Sequence, residues 1–310
     1  MLLNSAEFTP RRGREVLAAS ILRTVLRIGL KPALSPRIPL RWQRWWLRQL
    51  PRSSRPEESA DIQPGSVGGV DGEWVRPAVS ASTAQRATIL YLHGGAYCVG
   101  SPATHRAVTS HLACATKLPV FAADYRLAPE RPFPAAVDDA VAACRALMAS
   151  GPIIIAGDSA GGGLAVATAT ALRQQQASMP AALVLFSPWV DLALSATSSG
   201  ARREVMLSHR WLDACARHYL AGSDPKLSLA SPIYGDLRGL PPTLIQAGSD
   251  ELLCDDAVRL HDALGNAGVT VRCEIVPDRW HVFQLHAGVL AAANAAIERA
   301  ADFISLNVRS

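Results

Sequence analysis

An apolar, β-branched run of residues stops abruptly at a glycine-rich turn near the middle of the chain. The turn, residues 157–161, reads Gly-Asp-Ser-Ala-Gly, and an alanine-rich, helix-forming run follows it directly. Side chains on either side of the central Ser159 would collide in so tight a turn, which explains the glycine at both ends. A G-x-S-x-G motif alone also occurs in ordinary glycine-rich loops. The strand–turn–helix context favours a nucleophile elbow, with Ser159 strained and exposed at the carboxyl edge of a sheet.

Short apolar segments alternate with helical segments from about residue 66 onward. The predicted strands are 88–92, 119–125, 153–156, 182–186, 243–247 and 271–276. The predicted helices are 135–149, 161–176, 255–267 and 291–304. Short apolar strands separated by helices are typical of a mostly parallel sheet that helices cover on both faces. The sequence therefore predicts an α/β fold.

The first 50 residues do not follow this alternation. Residues 15–30 have helical periodicity, with apolar side chains on one face and arginines on the other: Leu17, Ile21, Val25 and Ile28 against Arg23 and Arg27. A basic, tryptophan-rich segment at 41–48 predicts a second amphipathic helix. We expect its tryptophans to pack onto the body of the protein. A lid over a pocket and a contact with a membrane surface are the alternatives.

A second interruption covers residues 189–232, which carry a predicted helix at 210–220. An insertion at this point would lie above the ends of the strands and, together with residues 1–50, could form a cap. The predicted organisation is therefore N-terminal cap helices in residues 1–50 and an α/β domain in residues 51–310, with the cap insertion at about 189–232. Residues 51–61 are expected to be a polar connector.

Composition excludes several functional classes. With 310 residues, 49% of them hydrophobic, the chain can bury a large core. The net charge of +5 comes without a basic motif interleaved with aromatic residues, so we expect no nucleic-acid partner. Arginines interrupt the apolar run at 16–30, which argues against a signal peptide and a membrane span. Six scattered cysteines without metal-type spacing indicate free thiols, no metal site and a cytoplasmic location.

A serine hydroxyl is a poor nucleophile at neutral pH and needs a base, an acid and donors for an oxyanion. The segment 93–97, His-Gly-Gly-Ala-Tyr, directly follows the predicted strand 88–92, where an oxyanion loop belongs. The main-chain N–H groups of Gly94 and Gly95 are the expected donors, because no side chain blocks them. The N–H of Ala160, next to the serine, is the expected third donor. We expect the histidine of this segment to hold the loop.

The acid and then the base should follow the serine along the chain. Of eight histidines, His281 has the best position, because it follows the predicted strand 271–276 and a short loop. Asp250 and Glu251 come just after the predicted strand 243–247, where the acid belongs. Adjacent side chains point in different directions, so only one of these carboxylates can orient His281, and position alone leaves both open.

Six motifs, taken in order, resemble the bacterial hormone-sensitive-lipase-like esterase family over residues 87–283: HGGAY, DYRLAPE, GDSAGGG, SPW, DELLCDD and WHVFQ. The resemblance implies an α/β-hydrolase fold with a helical cap, no metal or cofactor, and hydrolysis of carboxylic esters with short to medium acyl chains. Members of this family are often dimers, so the resemblance also implies a possible homodimer. Matched position by position, it places Glu251 where the family usually has a catalytic aspartate, with Asp250 as the alternative.

The expected activity is that of a serine carboxylesterase, with Ser159 as nucleophile, His281 as base and Glu251 as the orienting acid. A lactone or amide hydrolase with the same triad is the alternative, and a non-catalytic receptor is disfavoured because His281 is present. A small ester and a second copy of the chain are the expected partners, without stable membrane insertion. Asp158 is expected to support the site through hydrogen bonds. The candidate pocket walls are Tyr97, Trp189, Met206, Leu207 and Leu253.

Overall fold

A mostly parallel β-sheet runs through the centre of the computed structural model, which describes residues 2–4, 13–49, 55–78, 87–195 and 203–308. Its strands in these residues are β1 (Leu2–Asn4), β2 (Ala60–Val67), β3 (Val70–Pro77), β4 (Thr88–Leu92), β5 (Val120–Ala123), β6 (Ile153–Asp158), β7 (Ala182–Phe186), β8 (Thr243–Gly248) and β9 (Val271–Val276). The α-helices are α1 (Gly13–Val25), α2 (Leu40–Gln49), α3 (Arg106–Thr116), α4 (Ala135–Met148), α5 (Ala160–Gln174), α6 (His209–Leu220), α7 (Cys254–Asn266) and α8 (Ala291–Val308). Parts of the predicted cap (1, 5–12, 50 and 196–202) and of the connector (51–54) lie outside the described residues.

Neighbouring strands follow the order β1-β9-β8-β7-β6-β4-β5-β3-β2. All pairs are parallel except those of β3, which runs antiparallel to β2 and β5. Strands β4, β6 and β7 are almost fully buried, as expected for parallel strands covered on both faces. The predicted α/β architecture is confirmed. The carboxyl ends of the parallel strands β4 and β6 to β9 lie along one edge of the sheet, where the candidate site forms.

Sequence periodicity misses a hairpin and a helix. Strands β2 and β3 form the hairpin, and it turns at two glycines, Gly68 and Gly69, with φ of +60° and +81°. The predicted polar connector, residues 51–61, therefore overlaps the first two residues of β2. Helix α3 precedes β5, and β5 itself is shorter than predicted. Tyr125, predicted to end that strand, instead leaves the sheet and donates its hydroxyl hydrogen to the carbonyl of His93 (2.6 Å).

The cap helices expose the apolar face that their sequence defines. Helix α1 continues as a π-helix, Leu26–Leu30. The predicted apolar side chains of this segment are each at least half exposed: Leu17, Ile21, Val25 and Ile28. The tryptophans of α2 were expected to pack onto the body, and that prediction is wrong: Trp42, Trp45 and Trp46 are 54%, 51% and 40% exposed. Among the described residues, no helix combines the length and apolar character needed to cross a bilayer.

Buried polar side chains help to anchor the cap. The buried Glu15 of α1 forms an ion pair with Arg279 (3.1 Å) and accepts from the N–H of Ala291 (2.9 Å) at the start of α8. The buried Gln43 of α2 accepts from the indole N–H of Trp211 (2.8 Å) in α6. Buried polar groups need such partners. Together with the buried apolar side chains of Leu26, Leu30 and Leu34, they hold the cap against the body, while other apolar side chains of the cap face outward.

Candidate active site

Ser159 lies in the sharp turn between β6 and α5, with φ +53° and ψ −121°. This backbone conformation is costly for a residue other than glycine and persists only where the surroundings hold it. A Cβ at Gly157 would clash with the carbonyl oxygen of Gly161, and a Cβ at Gly161 with that of Leu92. The predicted steric need for both glycines is therefore visible. Ser159 is only 5% exposed rather than open to solvent, because it lines a cavity beneath the cap.

His281 lies on the loop between β9 and α8, and its Nε2 is 2.9 Å from Ser159 Oγ. Burial lowers the pKa of His281, whereas the hydrogen bond and the charge of the neighbouring Glu251 carboxylate raise it. The charges of Glu204 and Asp158 act in the same direction as Glu251, so the pKa is raised above its usual 6.5. The imidazole is thus placed to take the serine proton and is stabilised once it carries that proton.

Glu251, and not Asp250, faces the imidazole. Glu251 follows β8 and is fully buried, and its Oε1 is 3.7 Å from His281 Nδ1, at ion-pair distance. Asp250 points in another direction and forms an ion pair with Arg23 of α1 (2.9 Å). The geometry therefore favours Glu251 over Asp250 as the orienting acid. The Glu251 carboxylate faces the imidazole, while the neighbouring Asp250 carboxylate connects the cap to the sheet edge.

Known proteins resemble this chain over most of its length. A family model described as the alpha/beta hydrolase fold matches residues 89–285. An acetyl-hydrolase of Streptomyces hygroscopicus is 48% identical over 252 residues, covering 78% of this chain and 83% of the relative. An esterase of Acinetobacter venetianus is 36% identical over 300 residues, covering 93% and 94%. A solved esterase from the bacterial hormone-sensitive lipase family is 36% identical, with a TM-score of 0.88 and coverage of 97% and 100%.

The chain belongs to the bacterial hormone-sensitive-lipase-like esterases. The resemblance inferred from six motifs is thereby confirmed, and so is the α/β-hydrolase fold. Because the relatives and structural neighbours are esterases and acetyl-hydrolases, the protein is a carboxylic ester hydrolase.

The oxyanion loop of this esterase differs from the prediction at one position. The N–H of Gly94 donates to Asp158 Oδ1 (3.0 Å), so it is already engaged. Within the described part of the chain, the N–H groups of Gly95, Ala96 and Ala160 donate to no protein acceptor. Gly95 and Ala96 line the cavity together with Ser159. These three N–H groups are called the oxyanion donors below. Ala96 was overlooked, although a third small residue after two glycines is the signal for it.

Asp158 holds the oxyanion loop of the esterase in place. Besides the N–H of Gly94, its Oδ1 accepts from the Tyr91 hydroxyl (2.7 Å), and its Oδ2 is 3.3 Å from His105 Nε2. Burial raises the pKa of Asp158, but the charge and hydrogen bond of His105 and the hydroxyl of Tyr91 lower it below its usual value. A Cβ at Gly94 would collide with this carboxylate. The buried aspartate therefore fixes the loop by hydrogen bonds and sterics.

A cavity of about 260 Å³ lies above Ser159 and is lined mainly by aliphatic side chains. Among the predicted pocket residues, Met206, Leu207 and Asp158 line it. Tyr97, Trp189 and Leu253 do not, and these predictions are wrong. The cap supplies most of the unpredicted walls: Leu22, Val25, Leu26, Leu30, Leu34, Trp46 and Leu47.

The three misplaced wall residues of the esterase belong to its core. The ring of Tyr97 stacks on Tyr219, with centroids 3.8 Å apart. Trp189 is fully buried and donates its indole N–H to the carbonyl of Asp191 (3.0 Å). Leu253 is buried at the start of α7. These three bulky side chains therefore pack in the core and do not line the cavity.

Ser187 is a site residue that sequence reasoning missed. It follows β7, and its hydroxyl donates to Glu251 Oε2 (2.8 Å) while accepting from the N–H of Val282 (3.0 Å). It therefore ties the acid to the residue just after the base. The sequence signal for it was the serine of the SPW motif. This serine directly follows the predicted strand 182–186, which pairs with the strand that leads into the elbow. Among the described residues, no group of three His, Cys, Asp or Glu side chains could hold a metal ion.

Proposed function

We propose that this esterase hydrolyses carboxylic esters with short to medium acyl chains through a serine acyl-enzyme. The observation that carries the proposal is the 2.9 Å separation of Ser159 Oγ and His281 Nε2. A general base must be within hydrogen-bond reach of the proton that it removes. The Glu251 carboxylate behind the imidazole completes the arrangement that activates a serine.

In acylation, Ser159 Oγ attacks the carbonyl carbon of the ester while its proton moves to His281 Nε2. The carbonyl oxygen gains negative charge and accepts hydrogen bonds from the oxyanion donors. Glu251 orients the imidazole and stabilises its positive charge. When the tetrahedral intermediate collapses, the bond to the alcohol oxygen breaks and His281 gives its proton to that alcohol.

Deacylation repeats these steps with water. His281 takes a proton from a water molecule, and the resulting hydroxide attacks the acyl carbon attached to Ser159. The same oxyanion donors stabilise the second tetrahedral intermediate. The bond to Ser159 Oγ then breaks, the hydroxyl regains its proton from His281, and the carboxylic acid leaves.

The acyl-length preference is supported by the small, aliphatic cavity above Ser159. An acyl chain of a few carbons can bury its apolar surface there, and a long chain would have to extend past the cap. We expect kcat/KM for p-nitrophenyl esters to be highest among short and medium acyl groups and to fall for long ones. A maximum at long acyl chains would contradict this preference.

Replacement of the serine tests the reaction itself. We expect Ser159→Ala to lower kcat for p-nitrophenyl butyrate by a factor on the order of 10⁴ or more, because no nucleophile remains. The wild type, and not this variant, should be labelled by a fluorophosphonate probe. Circular dichroism would verify that the variant is folded. Wild-type turnover by a folded Ser159→Ala protein would refute the mechanism.

We also propose that the esterase acts in the cytoplasm, without a nucleic-acid partner and as a homodimer. The six cysteines, all free thiols, support a reducing compartment. Cell fractionation tests the location, and light scattering tests the homodimer. Recovery from outside the cytoplasm, or a monomeric mass at working concentrations, would contradict them.

A further inference from the structure

The exposed large apolar side chains of this esterase are concentrated on its cap. Eight of them lie on α1, the π-helix and α2: Val16, Leu17, Ile21, Val25, Ile28, Trp42, Trp45 and Trp46. We call this set the apolar cap face. Elsewhere in the described residues, only Leu227, Tyr234 and Leu306 are comparably exposed. Clustered exposed apolar residues are typical of interaction sites, whereas scattered ones are ordinary.

The cations of the same segment indicate what covers this face. Residues 13–49 contain eight arginines and lysines but a single acidic residue, Glu15, which is buried and paired with Arg279. Four of the cations are exposed and form no ion pair within the described residues: Arg27, Arg37, Arg41 and Arg48. A second copy of the cap would bring like charges together. An anionic surface instead provides both a hydrophobic layer for the tryptophans and negative charge for the arginines.

The cavity opens at the same face. Val25 is 50% exposed and Trp46 is 40% exposed, yet both also line the cavity above Ser159. These two side chains therefore belong to the outer surface and to the inner wall at once. A hydrophobic layer that covers the apolar cap face would lie against the cavity mouth.

We propose that the cap adsorbs, without crossing, onto an anionic phospholipid surface and points the cavity mouth into the lipid. Tryptophans and aliphatic side chains enter the headgroup region, and the arginines contact lipid phosphates. Esters dissolved in the bilayer then reach the cavity without passing through water. Delivery of substrate rests on the proposed esterase function, whereas adsorption itself does not.

Vesicle flotation tests adsorption with phosphatidylcholine vesicles that contain or lack phosphatidylglycerol. We expect wild type to float with the anionic vesicles and release as salt rises, because salt screens the charge attraction. Trp42→Ser/Trp45→Ser and, separately, Arg27→Gln/Arg41→Gln should each weaken binding by about tenfold or more. None of these four residues lines the cavity.

Matched controls remove similar groups elsewhere on the surface. Leu227→Ser/Leu306→Ser deletes two exposed apolar side chains outside the cap, and Arg76→Gln/Lys226→Gln deletes two exposed cations outside it. Both control proteins should bind anionic vesicles like wild type. Equal losses in the controls, or no binding of wild type to anionic vesicles, would overturn the proposal. A dimer that the tryptophan substitutions dissociate would also overturn it, since the face would then be an interface between copies.

Activity measurements separate this proposal from the proposed function. The cap variants are Trp42→Ser/Trp45→Ser and Arg27→Gln/Arg41→Gln. Both should hydrolyse dissolved p-nitrophenyl butyrate like wild type. Both should lose most of their activity on a p-nitrophenyl ester that is carried in anionic vesicles. Ser159→Ala should still bind the vesicles. Failure of the esterase function would appear as an inactive wild type on dissolved ester, whatever the vesicles show. Equal hydrolysis of vesicle-borne ester by wild type and both cap variants would overturn delivery from the lipid.

Discussion

The sheet edge and the cap of this esterase distribute polar and apolar side chains in opposite ways. At the sheet edge, buried apolar strands end in the polar residues of the candidate site, such as Ser159 after β6 and Glu251 after β8. In the cap, the polar Glu15 and Gln43 are buried while tryptophans face outward. Helices cover both faces of the central parallel strands, so burial of these strands follows from the architecture. A cap helix rests on one side only, so a few anchoring contacts decide its orientation.

After replacement of the nucleophile, the largest expected effect at the sheet edge is that of Glu251→Gln. The amide keeps the size of the carboxylate but cannot stabilise the imidazolium, so kcat should fall by about 10³- to 10⁴-fold. Steady-state kinetics with p-nitrophenyl butyrate would measure the loss. A reduction of less than tenfold would show that the acid lies elsewhere.

The same variant should move the acid limb of the pH profile. Only neutral His281 can accept the serine proton, so kcat/KM falls as the pH decreases through the pKa of His281. Glu251 contributes most to raising that pKa against the opposing effect of burial. Without the carboxylate the pKa decreases, and the acid limb of log kcat/KM against pH should shift to lower pH. A shift to higher pH would contradict this assignment of charges.

Asp158→Asn is expected to cost about 10²-fold in kcat, the typical effect of a lost oxyanion donor. The substitution removes the charge that pairs with His105 and weakens the hold on Gly94, so the oxyanion donors lose their alignment. Asp191→Asn is the matched control, because Asp191 is equally buried and paired with Arg259 (2.9 Å) outside the cavity. The control should lower the melting temperature without lowering kcat. Similar kcat values for the two variants would argue against a role in the loop.

The sequence predicts the residues of the sheet edge better than the orientation of the cap. Glycine sterics around Ser159 and the order of motifs predict the elbow, the base and the loop after β4, and the structure brings Ser159, His281 and Glu251 together. The orientation of the cap could not be predicted, because it depends on contacts far apart in sequence. Gln43 and Trp211, which fix α2, are 168 positions apart. Periodicity identifies two faces of a helix but does not say which one is anchored.

Ser187→Ala should have a smaller effect, with kcat lowered by about tenfold, because one hydrogen bond to a charged carboxylate is lost. Glu251 keeps the N–H of Gly248 (3.1 Å) as a partner, so the acid is loosened rather than released. KM should stay near its wild-type value, since Ser187 does not line the cavity. The control is Ser231→Ala, which removes a buried hydroxyl that accepts from the N–H of Leu192 (2.7 Å). A rise in KM with unchanged kcat would assign Ser187 to substrate binding instead.

Asp250→Asn should have the smallest effect on catalysis, although Asp250 is the immediate neighbour of the acid. Its carboxylate pairs with Arg23 of the cap, and that guanidinium also donates to the carbonyl of Asp278 (3.0 Å). This contact and a longer one to the carbonyl of Arg203 (3.5 Å) therefore remain, and asparagine can still accept a hydrogen bond from Arg23. The pair is partly exposed, so its loss should change kcat by no more than about fivefold. A loss as large as that of Glu251→Gln would mean that attachment of the cap, rather than the orienting carboxylate alone, sets the geometry of the base.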